Sequence, residues 1–232
     1  MKANDCILRV EKLAKKFGQV EAVRDVSFSV RRKAITAFLG ENGAGKTTTI
    51  KAILGFLKAD RGHVEMRANR VGYIPEHPVF FPWLSGREIL TLTARLFGVM
   101  PSRLNHEVER MSAVTLFDTK LLARKVQTYS LGNQKKFSYL QSLIISPDFV
   151  IVDEPFSSLD PLSIKSVRDL FLSLKAGGKT FFLSSHLISE MEKICDDVII
   201  IKQGRICLEE SVERLRREGP LDLEKLFLSF HG

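Results

Sequence analysis

Ala34-Ile35-Thr36-Ala37-Phe38-Leu39-Gly40-Glu41-Asn42-Gly43-Ala44-Gly45-Lys46-Thr47-Thr48 sets an apolar run directly against a glycine-rich loop. Gly40, Gly45, Lys46 and Thr47 satisfy G-x-x-x-x-G-K-[ST], a spacing that chance would supply in about one chain in a hundred of this length. Glycines let such a loop curl so that successive backbone N–H groups point inward at phosphate oxygens. A helix starting near Lys46 adds the positive end of its dipole, and the Lys46 ammonium can reach β- and γ-phosphates. Thr47 offers a hydroxyl to Mg²⁺. Ile50, Ile53, Leu54 and Leu57 recur at helical spacing behind the loop. The stretch predicts strand, phosphate-binding loop and helix, with Gly40 to Thr48 (Glu41, Asn42, Gly43, Ala44 and Gly45 included) as the binding set.

Composition is that of a water-soluble globular chain: 232 residues, 44% hydrophobic and 27% charged. No apolar run reaches the length of a membrane span, and Met1–Asp5 lacks the apolar core of a signal peptide, so a cytosolic protein is expected. Cys6, Cys195 and Cys207 are odd in number and far apart, match no zinc spacing, and suit a reducing compartment. The net charge of +8 is compatible with nucleotide, nucleic acid or an anionic lipid surface. The basic pairs are scattered, however, and read as solvated faces.

Around the loop, Ile7–Glu11 and Val26–Val30 read as strands, with Lys16-Phe17-Gly18 as a turn between them. Phe17 is either a hairpin aromatic or a ring placed to stack on an adenine. Strands are expected at 63–66 and at 71–74, the latter ending in Pro75-Glu76. The Pro- and aromatic-rich stretch 77–84 is either an exposed surface for a partner or a packed connection. From Ser85 to Ser146 the periodicity is helical. Ile89, Leu92, Leu96 and Phe97 are expected to form one stripe, Leu104, Val108, Met111 and Leu116 a second, and Phe137, Leu140, Leu143 and Ile144 a third. Tyr129–Asn133 is a small turn before the last of these helices.

Phe149-Val150-Ile151-Val152 reads as a strand buried on both faces, with Asp153 and Glu154 at its carboxyl end, where open parallel sheets bind ligands. One of the two carboxylates can hold Mg²⁺ while the other polarises water. Asp160 and Pro161 open a helix. Lys179–Leu183 is a further strand, ending at Ser184-Ser185-His186. Ser189 and Glu192 match a capping box, and Val198–Ile201 and Arg205–Leu208 a hairpin about Gln203-Gly204. Residues 212–230 should form short amphipathic helices with Leu221, Leu226 and Phe227 on one side. The expected fold is an α/β P-loop NTPase with a RecA-like core, an N-terminal antiparallel β subdomain and an inserted α-helical subdomain. As a single domain it divides into 1–84 and 147–210 (core and β subdomain), 85–146 (helical) and 211–232 (C-terminal cap).

The ordered motifs resemble the ATP-binding subunit of an ABC transporter over nearly the whole chain. Gly40–Thr48 is similar to Walker A and Phe149–Glu154 to Walker B. Glu76 falls at the Q-loop position, and Tyr129-Ser130-Leu131-Gly132-Asn133-Gln134 where the LSGGQ signature belongs. Ser157–Asp160 looks like the D-loop, His186 like the switch histidine and Phe17 like the adenine-stacking aromatic. The resemblance implies ATP and Mg²⁺ as cofactors, with Thr47, Glu76 and Asp153 toward the metal, Glu154, His186 and Lys46 catalytic, and Phe17 on the base. It also implies a second ATP-binding subunit, in a homodimer or heterodimer, whose Ser130 and Gly132 close on the γ-phosphate. A separate ABC permease would place the protein on the inner face of the cell membrane, with no nucleic acid expected. Two motifs depart from the pattern: Glu76 replaces the Q-loop glutamine, and the signature carries Leu131 and Asn133 for a glycine and the glutamine. Pro75-Glu76 and Tyr-Ser-x-Gly resemble the branch serving ABC-2-type export permeases. The alternatives are a non-transport ABC ATPase acting on nucleic acid or ribosomes, and a regulatory subunit that binds ATP without turnover.

Overall fold

The computed structural model describes residues 5–230; the expectation drawn from Met1–Asp5 therefore lies almost wholly outside the described residues. Two sheets face each other. The first is antiparallel, in the order β2-β1-β4, built from β1 (Cys6–Phe17), β2 (Val20–Arg31) and β4 (Arg61–Met66). Both long strands exceed the runs read from sequence because bulges interrupt the alternation, with Lys12 and Asp25 at positive φ. The hairpin between them turns on Gly18, so Phe17 closes β1, paired with Val20, rather than sitting in the turn.

The second sheet runs β5-β6-β7-β3-β8-β9 and contains β3 (Ile35–Leu39), β5 (Val71–Ile74), β6 (Phe149–Asp153), β7 (Thr180–Ser185), β8 (Asp197–Lys202) and β9 (Arg205–Ser211). Every pairing is parallel except β8 with β9, the predicted hairpin. β3, β6 and β7 are buried along their whole length, which is why their sequences are continuously apolar rather than alternating.

Alternate residues of the parallel strands feed two cores. Ile35, Ala37, Leu39, Val150, Val152, Phe181 and Leu183 pack under helices. Phe38, Ile151 and Phe182 pack toward the antiparallel sheet and helix α1 (Lys46–Ile53). Phe182 stacks on Phe28 and Phe38 with centroids 5.4 and 5.2 Å away, joining the two sheets through three rings.

The helical insertion consists of α2 (Gly86–Leu96), α3 (Pro101–Thr115) and α4 (Leu131–Leu143). The second and third expected stripes are buried, except Leu116, which caps α3 in the left-handed conformation and is exposed. The first stripe is corrected. Ile89, Leu90 and Ala94 face the core, while Leu92, Leu96 and Phe97 lie exposed. α5 (Pro161–Ala176) starts as expected, with the Asp160 carboxylate accepting the Ser163 N–H at 2.9 Å.

The capping box at Ser189 and Glu192 does not form. α6 (Ile188–Glu192) is one turn long with Leu187 at its N-cap. Glu192 instead accepts the Leu223 N–H at 2.8 Å, at the start of α8 (Leu223–Ser229), where an anion meets the helix dipole favourably. The box belongs to α2, where Ser85 and Glu88 bond each other's backbone N–H. α7 (Val212–Glu218) and α8 cap the sheet, with Leu223 and Phe227 buried and Leu221 and Leu226 packed against them. Among the described residues no helix is long and apolar enough to cross a membrane.

Candidate active site

Because β3, β5, β6 and β7 are parallel, their carboxyl ends bring Gly40, Pro75-Glu76, Asp153-Glu154 and Ser185-His186 to one edge of the sheet. The loop after β3 wraps into the start of α1 and opens a cleft of about 210 Å³. Its lining includes Glu41, Asn42, Gly43, Gly45, Lys46, Thr47, Thr48, Glu76 and Glu154. Ala22 of β2 lines it too, a contact across sheets that no local motif announces.

The loop's curvature depends on Gly45, which holds φ at 107°, and a Cβ there would collide with the Ala22 carbonyl. A Cβ on Gly40 would lie 2.6 Å from the Ile201 carbonyl, so the loop is pressed directly onto β8. Ala44 is buried, and its carbonyl accepts the Gly204 N–H at 2.9 Å.

Lys46 is buried and donates to the Gly40 and Glu41 carbonyls at 2.7 and 3.2 Å, with its Nζ 3.4 Å from Glu154 Oε1. Thr47 Oγ1 donates to Asp153 Oδ2 at 2.7 Å, and Ser184 donates to Asp153 Oδ1. Glu154 is buried, in left-handed backbone (φ 47°), which aims its carboxylate between two bases. Its Oε2 lies 3.0 Å from His186 Nδ1, and the His186 ring is half exposed.

The metal-directed residues are all hard oxygen donors: the Thr47 hydroxyl, already on Asp153, and the Glu76 carboxylate on the cleft wall. Among the described residues no cluster of three His, Cys, Asp or Glu could hold an ion unaided. This set fits Mg²⁺, which favours one or two protein oxygens completed by phosphate and water.

Three expected ligands stand apart. Phe17, 49% exposed, is not part of the cleft lining; the Lys15 ammonium lies 5.5 Å from its ring centroid. Ser130 and Gly132 lie at the start of α4, also outside the cleft. Ser130 is the N-cap, accepting the Asn133 N–H at 3.3 Å, and Leu131 beside it is 70% exposed. Sequence reasoning missed Ser184, Ser185 and Lys135. The serines carried a signal, standing at the end of a strand directly before His186.

The family described as ABC transporter matches residues 23–157, a span that contains both the loop and the Asp153-Glu154 pair. The ABC transporter ATP-binding protein YxlF of Bacillus subtilis is 32% identical over 219 residues, covering 91% of this chain and 73% of its own. The bacitracin transport ATP-binding protein BcrA of Bacillus licheniformis is 34% identical over 230 residues, 94% of this chain and 74% of its own. Among solved structures, an ATP-binding subunit of an ABC transporter superposes with a TM-score of 0.86 at 28% identity, covering 97% of this chain and all of its own. The Gly40–Thr48 loop and the Asp153-Glu154 pair beside it thus stand in a chain that belongs to the ABC transporter family as an ATP-binding, ATP-hydrolysing protein.

Proposed function

We propose that this ATPase powers export through a separate membrane permease, working as a pair of identical chains closed head-to-tail around two ATP molecules. One observation carries the pairing. Lys46, Thr47, Asp153, Glu154 and His186 converge in one place, while Ser130 and Gly132, the remaining phosphate ligands that the motifs supply, stand at an exposed helix start outside it. A second copy turned head-to-tail would bring its Ser130 hydroxyl and the amides of the first turn of α4 to the γ-phosphate.

The chemistry follows from what each residue holds. Arriving phosphates would take the Lys46 donors from the Gly40 and Glu41 carbonyls, placing the ammonium on β- and γ-oxygens. Mg²⁺ held by Thr47 and Asp153, with Glu76 reaching it directly or through water, would neutralise charge on the β- and γ-phosphates. The Glu154 carboxylate, aimed by its backbone and by His186, orients a water and takes its proton. The water oxygen bonds to the γ-phosphorus, and the bridging oxygen leaves with its electron pair as ADP. His186 donates to the γ-phosphate as charge builds on it. Phe17 supplies a face for the adenine. Closure completes the site, so hydrolysis is coupled to the movement of one chain against the other.

Export and an ABC-2-type partner are supported by Pro75-Glu76, by Tyr129-Ser130-Leu131-Gly132, and by the likeness to a bacitracin transport protein. The docking face is the segment Val79–Arg87 with α2. Phe80 packs edge-on to Phe137, centroids 5.1 Å apart, and holds the segment down while Phe81 and Trp83 remain exposed. An apolar patch of this kind marks a partner surface, and docking there places the protein on the inner face of the membrane.

Two experiments test the reading. Glu154→Gln should lower kcat at least about 100-fold while ATP still binds; undiminished phosphate release would remove Glu154 from its role. Phe81→Ser with Trp83→Ser should abolish co-purification with the co-expressed permease and leave basal ATPase activity unchanged. Intact binding would place the docking face elsewhere.

A further inference from the structure

We infer that Lys135, to which no motif of the site gives a role, is a positioning residue whose buried ammonium locks the ends of β5 and β6 together and so sets where Glu76 and Asp153 stand. The last registered pair between those strands is Ile74 with Val152. The residue after β5 is Pro75, which has no N–H to carry the ladder onward. The carbonyls beyond that point need donors from elsewhere. Lys135, 1% exposed, supplies them: its Nζ lies 2.9 Å from Pro75 O and 3.0 Å from Asp153 O, with Glu76 O a longer contact at 3.5 Å.

An apolar side chain would fill this space at less cost, because a buried ammonium must recover its lost hydration. Here the recovery is specific. The close donors go to backbone carbonyls of two separate segments, and the charge faces Asp153, Glu76 and Glu154. Burial lowers the Lys135 ammonium more than those three acids raise it, leaving it at about 8.

The same turn of α4 is tied on its other flank. Lys136 Nζ lies 3.7 Å from Asp160 Oδ2, and a Cβ on Gly132 would stand 3.0 Å from Ser158 O. The helix start that carries Ser130 is therefore fixed to the metal side of its own chain by Lys135 and to the 157–160 turn by Lys136. A shift of that turn moves Glu76 and Asp153 with it.

The inference rests on this site hydrolysing ATP, which the wild-type chain tests separately. The comparison uses the full chain as wild type, Lys135→Met, Lys135→Gln and Tyr139→Phe. Tyr139 serves as control because it too donates from α4 to a buried carbonyl, Pro155 O at 2.6 Å, but makes no bond to the end of β5. Two readouts are taken: kcat and KM for ATP, and amide hydrogen exchange of segments 74–77 and 152–155 in nucleotide-free protein. Lys135→Met should lower kcat at least about tenfold with KM changed less than about threefold, and should speed exchange in both segments. Lys135→Gln, which keeps a donor, should recover at least about half of the lost kcat and the protection. Tyr139→Phe should lower the melting temperature, leaving kcat within about twofold and exchange in segment 74–77 unchanged. Wild-type kcat or exchange in Lys135→Met, a Gln variant as impaired as Met, or a control that reproduces both effects would each overturn the proposal. If Lys135→Met does not fold, Lys135→Gln against Tyr139→Phe decides. A wild-type chain without hydrolysis would refute the ATPase reading, while the exchange data would still judge Lys135.

Discussion

Gly45 carries the tightest single constraint in the site, combining φ of 107° with the Ala22 carbonyl where a side chain would begin. Gly45→Ala should cost about 1–3 kcal/mol in urea-denaturation stability and weaken ATP binding, because relief of either strain moves the loop away from β2. Equal stability and affinity would mean that the loop has slack. Residues whose places follow from chain neighbours were legible in sequence: Lys46 and Thr47 from the loop pattern, Asp153 and Glu154 from their position at a strand end. Ala22, Ser184 and Lys135 act through strands or helices distant in sequence. Which strand lies beside which decides their roles, and no local spacing records that. Phe17 admits two readings from sequence, and the structure shows an exposed ring at the end of β1 with the Lys15 ammonium over it, a place open to either.

At the scale of elements, α5 depends on Asp160. Its carboxylate falls to about 2 from an ordinary 3.8, chiefly through the Ser163 hydroxyl, then the Ser163 N–H, with Lys136 contributing less. A carboxylate lowered by folding adds stability that is fully present above pH 3.8 and is lost as pH falls through about 2. Acid unfolding of the wild type should therefore show an additional loss across that window, and Asp160→Asn should flatten it; identical acid titrations would show that Asp160 contributes nothing. This cap was legible because Asp160-Pro161 is a local signal. The Ser189–Glu192 box misled because the motif fits any S-x-x-E, and Glu192 found a better donor at the start of α8. α2 misled for a different reason. Its apolar residues cover two faces, Ile89 with Leu90 and Ala94 on one and Leu92 with Leu96 on the other, and periodicity alone cannot say which faces the core. The exposed face suits the partner surface proposed for that region.

Across the whole molecule, the parallel sheet was legible because strands buried on both faces are continuously apolar, as Phe149–Val152 is. Strand order was not, nor was the return of β4 to β1 in the antiparallel sheet, since both depend on long-range pairing. The order matters for function: it sets four strand ends side by side and leaves Ser130 and Gly132 outside the cleft. The proposed pairing rests on that separation, and thus on a second copy supplying them. Its most direct test is the light-scattering mass of Glu154→Gln at saturating ATP. The expected mass is twice the 26.2 kDa of one chain, reverting to a single chain when Gly132→Asp is added although ATP still binds. A single-chain mass for Glu154→Gln with ATP fully bound would contradict it.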